Sequence, residues 1–142
     1  MLKQEEQTSP KTSLGKILII EDNPDYQTLI KKSLLNEFDI IFESNAQVGL
    51  EITKNIIPSL LIFNVQALKV DADIFLKLLR NHTCSAANII LILLTDTANE
   101  ECYMLAREYG VYIFTLEWLL ADKLSRLVKG LLDLKSFVNN QS

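Results

Sequence analysis

Pro58-Ser59-Leu60-Leu61-Ile62-Phe63-Asn64-Val65-Gln66 decides how this chain is read. Ser59 to Phe63 reads as a buried strand, with Leu60 to Phe63 apolar at every position. Such a run reads as a strand covered on both faces, and Asn64 stands where it should stop. In an open α/β sheet, chemistry collects at the carboxyl ends of the strands. An earlier run, Lys16-Ile17-Leu18-Ile19-Ile20, leads into Glu21-Asp22 at the same kind of position. If the two strands are neighbours, Glu21, Asp22 and Asn64 share one small site. Two of these groups are carboxylates and the third is an amide.

Working outward, the same alternation recurs. Asn23-Pro24 predicts a helix start, because asparagine caps well and proline fits a first turn whose N–H has no partner. That helix is expected from Pro24 to about Asn36, with Tyr26, Leu29, Ile30, Ser33 and Leu34 inward. Phe38 to Phe42 reads as the least apolar strand and belongs at a sheet edge. Ser44-Asn45-Ala46-Gln47 has capping-box spacing. The helix it opens runs through Val48, Leu50, Ile52 and Ile56, and Pro58 ends it. Asp71 or Asp73 caps a third helix carrying Ile74, Phe75, Leu78 and Leu79. Asn88 to Leu94 is a fourth strand ending at Thr95.

Thr97-Ala98-Asn99-Glu100 has capping-box spacing again. It opens a helix with Met104 and Leu105 that Gly110 closes. Val111 to Phe114 is the fifth strand. A single long helix is then expected from Thr115 or Leu116, with Leu120, Leu124, Leu127, Leu131, Leu134 and Val138 as its seam. Five strand–helix repeats with short, right-handed connections imply one α/β domain, a parallel sheet with helices on both faces. Residues 1–14 read as a flexible tail, 15–138 as the domain and 139–142 as a second tail.

Composition narrows the function. The chain has 142 residues, of which 49% are hydrophobic, so a single domain with a sizeable core is expected. A net charge of −4 and the lack of a basic run argue against a nucleic-acid partner. No apolar run is long enough for a membrane span, and the polar N-terminus does not resemble a signal peptide. The expected compartment is the cytoplasm. Cys84 and Cys102 lie in no metal-type spacing and read as reduced thiols. His82, alone in a polar turn, reads as a solvated loop residue. A flavin or dinucleotide site would need glycines or hydroxyls after the first strand. Glu21-Asp22-Asn23-Pro24-Asp25 would repel phosphate there.

The stretches Ile17 to Asp25, Pro58 to Val65, Ile89 to Thr95 and Tyr112 to Leu116 resemble, in order and spacing, the receiver domain of two-component response regulators. The resemblance covers roughly residues 15–133. It implies a doubly wound (βα)5 flavodoxin-like domain with strand order 2-1-3-4-5. It also implies roles. Glu21 and Asp22 match the acidic pair that holds Mg²⁺, and Gln66 matches the residue whose backbone carbonyl is a further ligand. Asn64 matches the phospho-acceptor position. Thr95 matches the hydroxyl that bonds the phosphoryl group, Tyr112 the aromatic switch, and Thr115 the lysine position.

Three departures surround that site. Asn64 replaces the acceptor aspartate, and an amide, its nitrogen lone pair delocalised, cannot give an acyl phosphate. Asn64 also removes a charge from the metal site. A unit charge pair at 4 Å is worth at most about 4 kcal/mol at an effective dielectric near 20, so Mg²⁺ binding is expected to be weak at best. Thr115 replaces the lysine and is expected to cap the last helix instead. Ala67-Leu68 and Leu116 replace the family's turn residues and proline.

The expected function is therefore a pseudo-receiver, not an enzyme, without a required cofactor. It acts on another protein, a signalling partner or kinase, through the face made by the family's fourth helix, fifth strand and fifth helix. Arg107, Tyr112, Trp118, Lys123 and Arg126 are its candidate residues. A homodimer through the last helix is the second partner expectation. The alternative function is a phosphorylatable regulator that uses Glu21 or Asp22 as acceptor with Mg²⁺.

Overall fold

A computed structural model of the chain describes residues 15–81 and 88–140. The expected N-terminal tail, His82 and Cys84 lie outside them. The elements run β1 (Lys16–Ile20), α1 (Pro24–Leu34), β2 (Asp39–Glu43), α2 (Ala46–Asn55), β3 (Leu60–Asn64), α3 (Val65–Leu68) and α4 (Ala72–Arg80). Then follow β4 (Ile90–Thr95), α5 (Glu100–Tyr109), β5 (Tyr112–Thr115), α6 (Leu116–Leu120) and α7 (Leu124–Asn140). All strand pairs are parallel and the sheet order is β2-β1-β3-β4-β5, as expected.

Period-two alternation divides the strands between two cores. Leu18, Ile20, Leu61, Phe63, Leu91 and Leu93 face the helices that contribute Ala46, Phe75, Leu76, Leu79, Cys102 and Leu105. Ile17, Ile19, Leu60, Ile62, Ile92, Leu94 and Phe114 face Ile30, Leu34, Leu119, Leu124, Val128 and Leu131. Both faces are thus covered, which is why the central runs are apolar at every position. The edge strand β2 is only half-buried throughout. Gly49 matters to this packing: a Cβ there would come within 2.7 Å of Ile20 Cδ1, so glycine lets α2 lie close on β1.

Several expectations need correction. The N-cap of α2 is Asn45, whose side chain accepts from Val48 N–H, and not Ser44. The N-cap of α5 is Asn99, which accepts from Cys102 N–H, and not Thr97. In both cases the asparagine reaches the open N–H three residues on, and the helix starts later than the capping-box pattern implies. The inward face of α2 is Ala46, Gly49 and Thr53, while Val48 and Ile56 are exposed. In α4 it is Ala72, Phe75, Leu76 and Leu79, leaving Ile74 and Leu78 exposed. In α2 small residues hold the inward positions because Gly49 lets that helix lie close on the sheet, while α4 buries Phe75 and Leu79 as expected.

The last helix is also not continuous. It breaks at Ala121-Asp122-Lys123, where Asp122 takes a left-handed backbone (φ 59°). Aspartate tolerates that conformation better than most residues. Ser33 Oγ donates to Asp122 Oδ1 at 3.1 Å and ties the break to α1. The leucine steps run unbroken through the turn, which hides it from a reading by period. Leu120 is 71% exposed, and Leu119 and Leu124 fill the core instead. Toward its end α7 exposes Leu134, Phe137 and Val138. The helix runs to Asn140, into the stretch expected as a tail.

Candidate functional site

The register Ile20↔Phe63 ends β1 and β3 side by side and sets Glu21 next to Asn64. Glu21 and Asn64 are therefore neighbours, with Asp22 exposed beside Glu21. Glu21 is 1% exposed, Asn64 4% and Thr95 3%, so three polar side chains are buried at one end of the sheet.

Each of the buried side chains is satisfied from within the chain. Asn64 Nδ2 donates to Glu21 Oε1 at 2.8 Å, and Asn64 Oδ1 accepts from Gln66 N–H at 2.9 Å. The second bond fixes the amide's orientation, since only its oxygen can accept from a backbone N–H. Glu21 Oε2 accepts from Asn23 N–H at 3.0 Å. Asn23 in turn caps α1, accepting from Asp25 and Tyr26 N–H. Thr95 Oγ1 donates to the Thr97 carbonyl at 3.2 Å and so closes the turn after β4. Among the described residues no buried side-chain nitrogen or oxygen lacks a partner.

Charge is handled in the same way. Lys69 Nζ lies 3.2 Å from Asp22 Oδ2. Lys69 follows α3 in a left-handed backbone (φ 57°, ψ 17°). Neither α3 nor this ion pair was expected from the sequence. Ala67-Leu68-Lys69-Val70 carries no glycine to announce a positive φ, so no local signal pointed to them.

A divalent metal does not fit this arrangement. Both Glu21 oxygens and both Asn64 polar atoms are engaged with the protein, and Asp22 faces an ammonium. A hard cation such as Mg²⁺ takes oxygen ligands. Here an amide N–H points at the carboxylate where such a cation would sit. Among the described residues no group of three or more His, Cys, Asp or Glu could hold a metal ion.

Burial pushes the Glu21 carboxyl above the ordinary glutamate range, opposed by the bonds from Asn64 and Asn23. The folded state therefore holds a proton that the unfolded chain releases earlier. Stability from this group is present at low pH and is lost as pH rises through the folded value. Unfolding free energy measured in urea across the weakly acid range should fall less steeply with rising pH in Glu21→Gln than in the parent. Equal slopes would show that Glu21 does not titrate there.

The other candidate positions are placed as follows. Thr115 pairs with Thr95 in register and stands at the N-cap of α6, but its side chain makes no capping bond, contrary to expectation. Tyr112 is 44% exposed on β5. Trp118 is also exposed and packs edge-on against Phe114 with ring centroids 5.7 Å apart. Arg107 is exposed and lies 3.8 Å from Glu100. Lys123 is exposed in the turn between α6 and α7. Arg126 lines a polar groove with Lys32, Ser33 and Asp122, on the α1 side of α7.

No family model matches the sequence. Solved structures do. The signal receiver domain of a protein described as a Luxo repressor from Vibrio parahaemolyticus superposes with a TM-score of 0.75 at 15% identity. The match covers 90% of this chain and 97% of that one. A CheY-like response regulator receiver domain from Methanospirillum hungatei JF-1 gives 0.68 at 20% identity, over 87% and 98%. The chain has the receiver-domain fold. A third match is the receiver domain of a Saccharomyces cerevisiae response regulator, solved with its histidine phosphotransfer protein. Its TM-score is 0.61 at 19% identity, over 76% of this chain and 80% of that one. Among the described residues no helix is long and apolar enough to cross a membrane.

Proposed function

We propose that residues 15–138 form a receiver-like signalling domain that works without phosphorylation, through contacts with another protein. The observation that carries this reading is the Asn64 amide donating to the buried Glu21 carboxylate. An acceptor must offer a carboxylate oxygen to phosphorus, and a receiver pocket must offer one to a metal. Asn64 offers neither, and it spends its donor on the group next to it. Glu21 is an unsuitable substitute acceptor, being buried with both oxygens bonded. Asp22 is partly accessible but paired with Lys69.

Interfaces are rich in Tyr, Trp, Met and Arg. Tyr112 on β5, Trp118 on α6, and Tyr103, Met104 and Arg107 on α5 are all exposed. This set supports a protein partner at the β5 edge. The yeast receiver solved with a phosphotransfer protein is a precedent for a protein partner, though not for its identity. The exposed Leu134, Phe137 and Val138 make a second copy of the chain a further candidate.

The test is an amide NMR spectrum recorded with Mg²⁺, then with beryllofluoride, which mimics a phosphoryl group on a carboxylate. Resonances from Thr95, Tyr112 and Thr115 should stay where they are. Shifts spread over β4 and β5 would mean that the pocket still answers to a phosphoryl group.

A further inference from the structure

We infer that Lys69 is a built-in counter-cation of this pocket, holding with the Asn64 amide the place that a divalent metal would need. The inference rests on the pseudo-receiver reading and adds a residue and a cause to it. Glu21 is buried at the strand end and Asp22 beside it is exposed; the two carboxylates repel each other, and a nearby donor or cation relieves that repulsion. Here each has one. Glu21 has the Asn64 Nδ2 donor at 2.8 Å, and Asp22 has the Lys69 ammonium at 3.2 Å.

The two compensating groups come from one short segment. Asn64 is the N-cap of α3 and Lys69 its C-cap, so a single helical turn separates them. Lys69 reaches Asp22 from a left-handed backbone, a conformation a residue with a Cβ adopts only at a cost. The amide is fixed at its other end by Gln66 N–H. A cation entering this pocket would have to turn Asn64 against that bond and displace Lys69 from Asp22.

Their shares are unequal. Lys69 is 74% exposed at its side chain, and an exposed ion pair competes by no more than about fivefold. Asn64 withholds a charged ligand from a buried site and has the larger effect.

Mn²⁺ binding followed by the loss of the free-ion EPR signal tests this directly. The parent protein should bind no Mn²⁺ at millimolar concentration. Asn64→Asp should bind, and Asn64→Asp with Lys69→Ala should bind about three- to fivefold more tightly than Asn64→Asp with Lys69→Arg. High salt should narrow that gap. Equal affinities for the Ala and Arg variants would overturn the role of Lys69. Tight Mn²⁺ binding by the parent would overturn the inference as a whole. If Asn64→Asp proves too unstable, the aspartate variants are compared in an osmolyte that favours the folded state, and the same Ala-against-Arg comparison decides. A mass gain with a phosphodonor would instead defeat the proposed function and leave this comparison valid.

Discussion

Replacing Asn64 by aspartate should lower the free energy of unfolding by about 3 kcal/mol in the absence of divalent cations. The substitution removes the Asn64–Glu21 hydrogen bond and puts a second carboxylate beside a buried one. A buried group left without its partner costs about 1–3 kcal/mol. Like charges at contact distance add up to about 4 kcal/mol at an effective dielectric near 20, limited by one carboxyl taking up a proton. Urea unfolding at neutral pH measures the loss, and millimolar Mg²⁺ should restore part of it. An aspartate variant as stable as the parent would mean that the amide bond is not what settles this pocket.

The second large effect lies one residue away. Phe63→Ala should cost about 4 kcal/mol, the usual scale for deleting a buried aromatic ring. Phe63 is fully buried, pairs in register with Ile20 and Leu93, and meets Phe75 of α4 at a ring-centroid distance of 5.6 Å. The ring therefore joins β3 to α4 on the face that also holds α2 and α5. The urea midpoint should fall with little change in slope. A loss below about 1 kcal/mol would mean that α4 collapses onto the sheet without this ring.

These two residues also show what the sequence made legible. Five apolar runs, each ending at a polar residue, gave the strands, the parallel sheet and the meeting of Glu21 with Asn64. The short length of the runs, their β-branched residues and the helix signals between them marked them as strands. The helices were less legible in detail. Asparagine capped where serine or threonine had the expected spacing, as at Asn45 and Asn99. In α2 the buried face went to Ala46 and Gly49, because close packing on a sheet favours small residues over the valines and isoleucines nearby.

The break at Asp122 and the turn at Lys69 were invisible for a different reason. Both use a left-handed backbone at a residue other than glycine, and tertiary contacts select it. Asp122 is held by Ser33, and Lys69 meets Asp22. Neither contact has a local signature. Asn64 could be read directly from the sequence, but the Lys69–Asp22 pair could not.

The proposed function requires that this receiver fold takes no phosphoryl group. Intact mass after incubation with acetyl phosphate and Mg²⁺ tests it most directly. The predicted result is an unchanged mass for the parent protein. A stoichiometric gain of one phosphoryl group, lost on treatment with acid or base, would contradict it and would place the acceptor at Asp22 or Glu21.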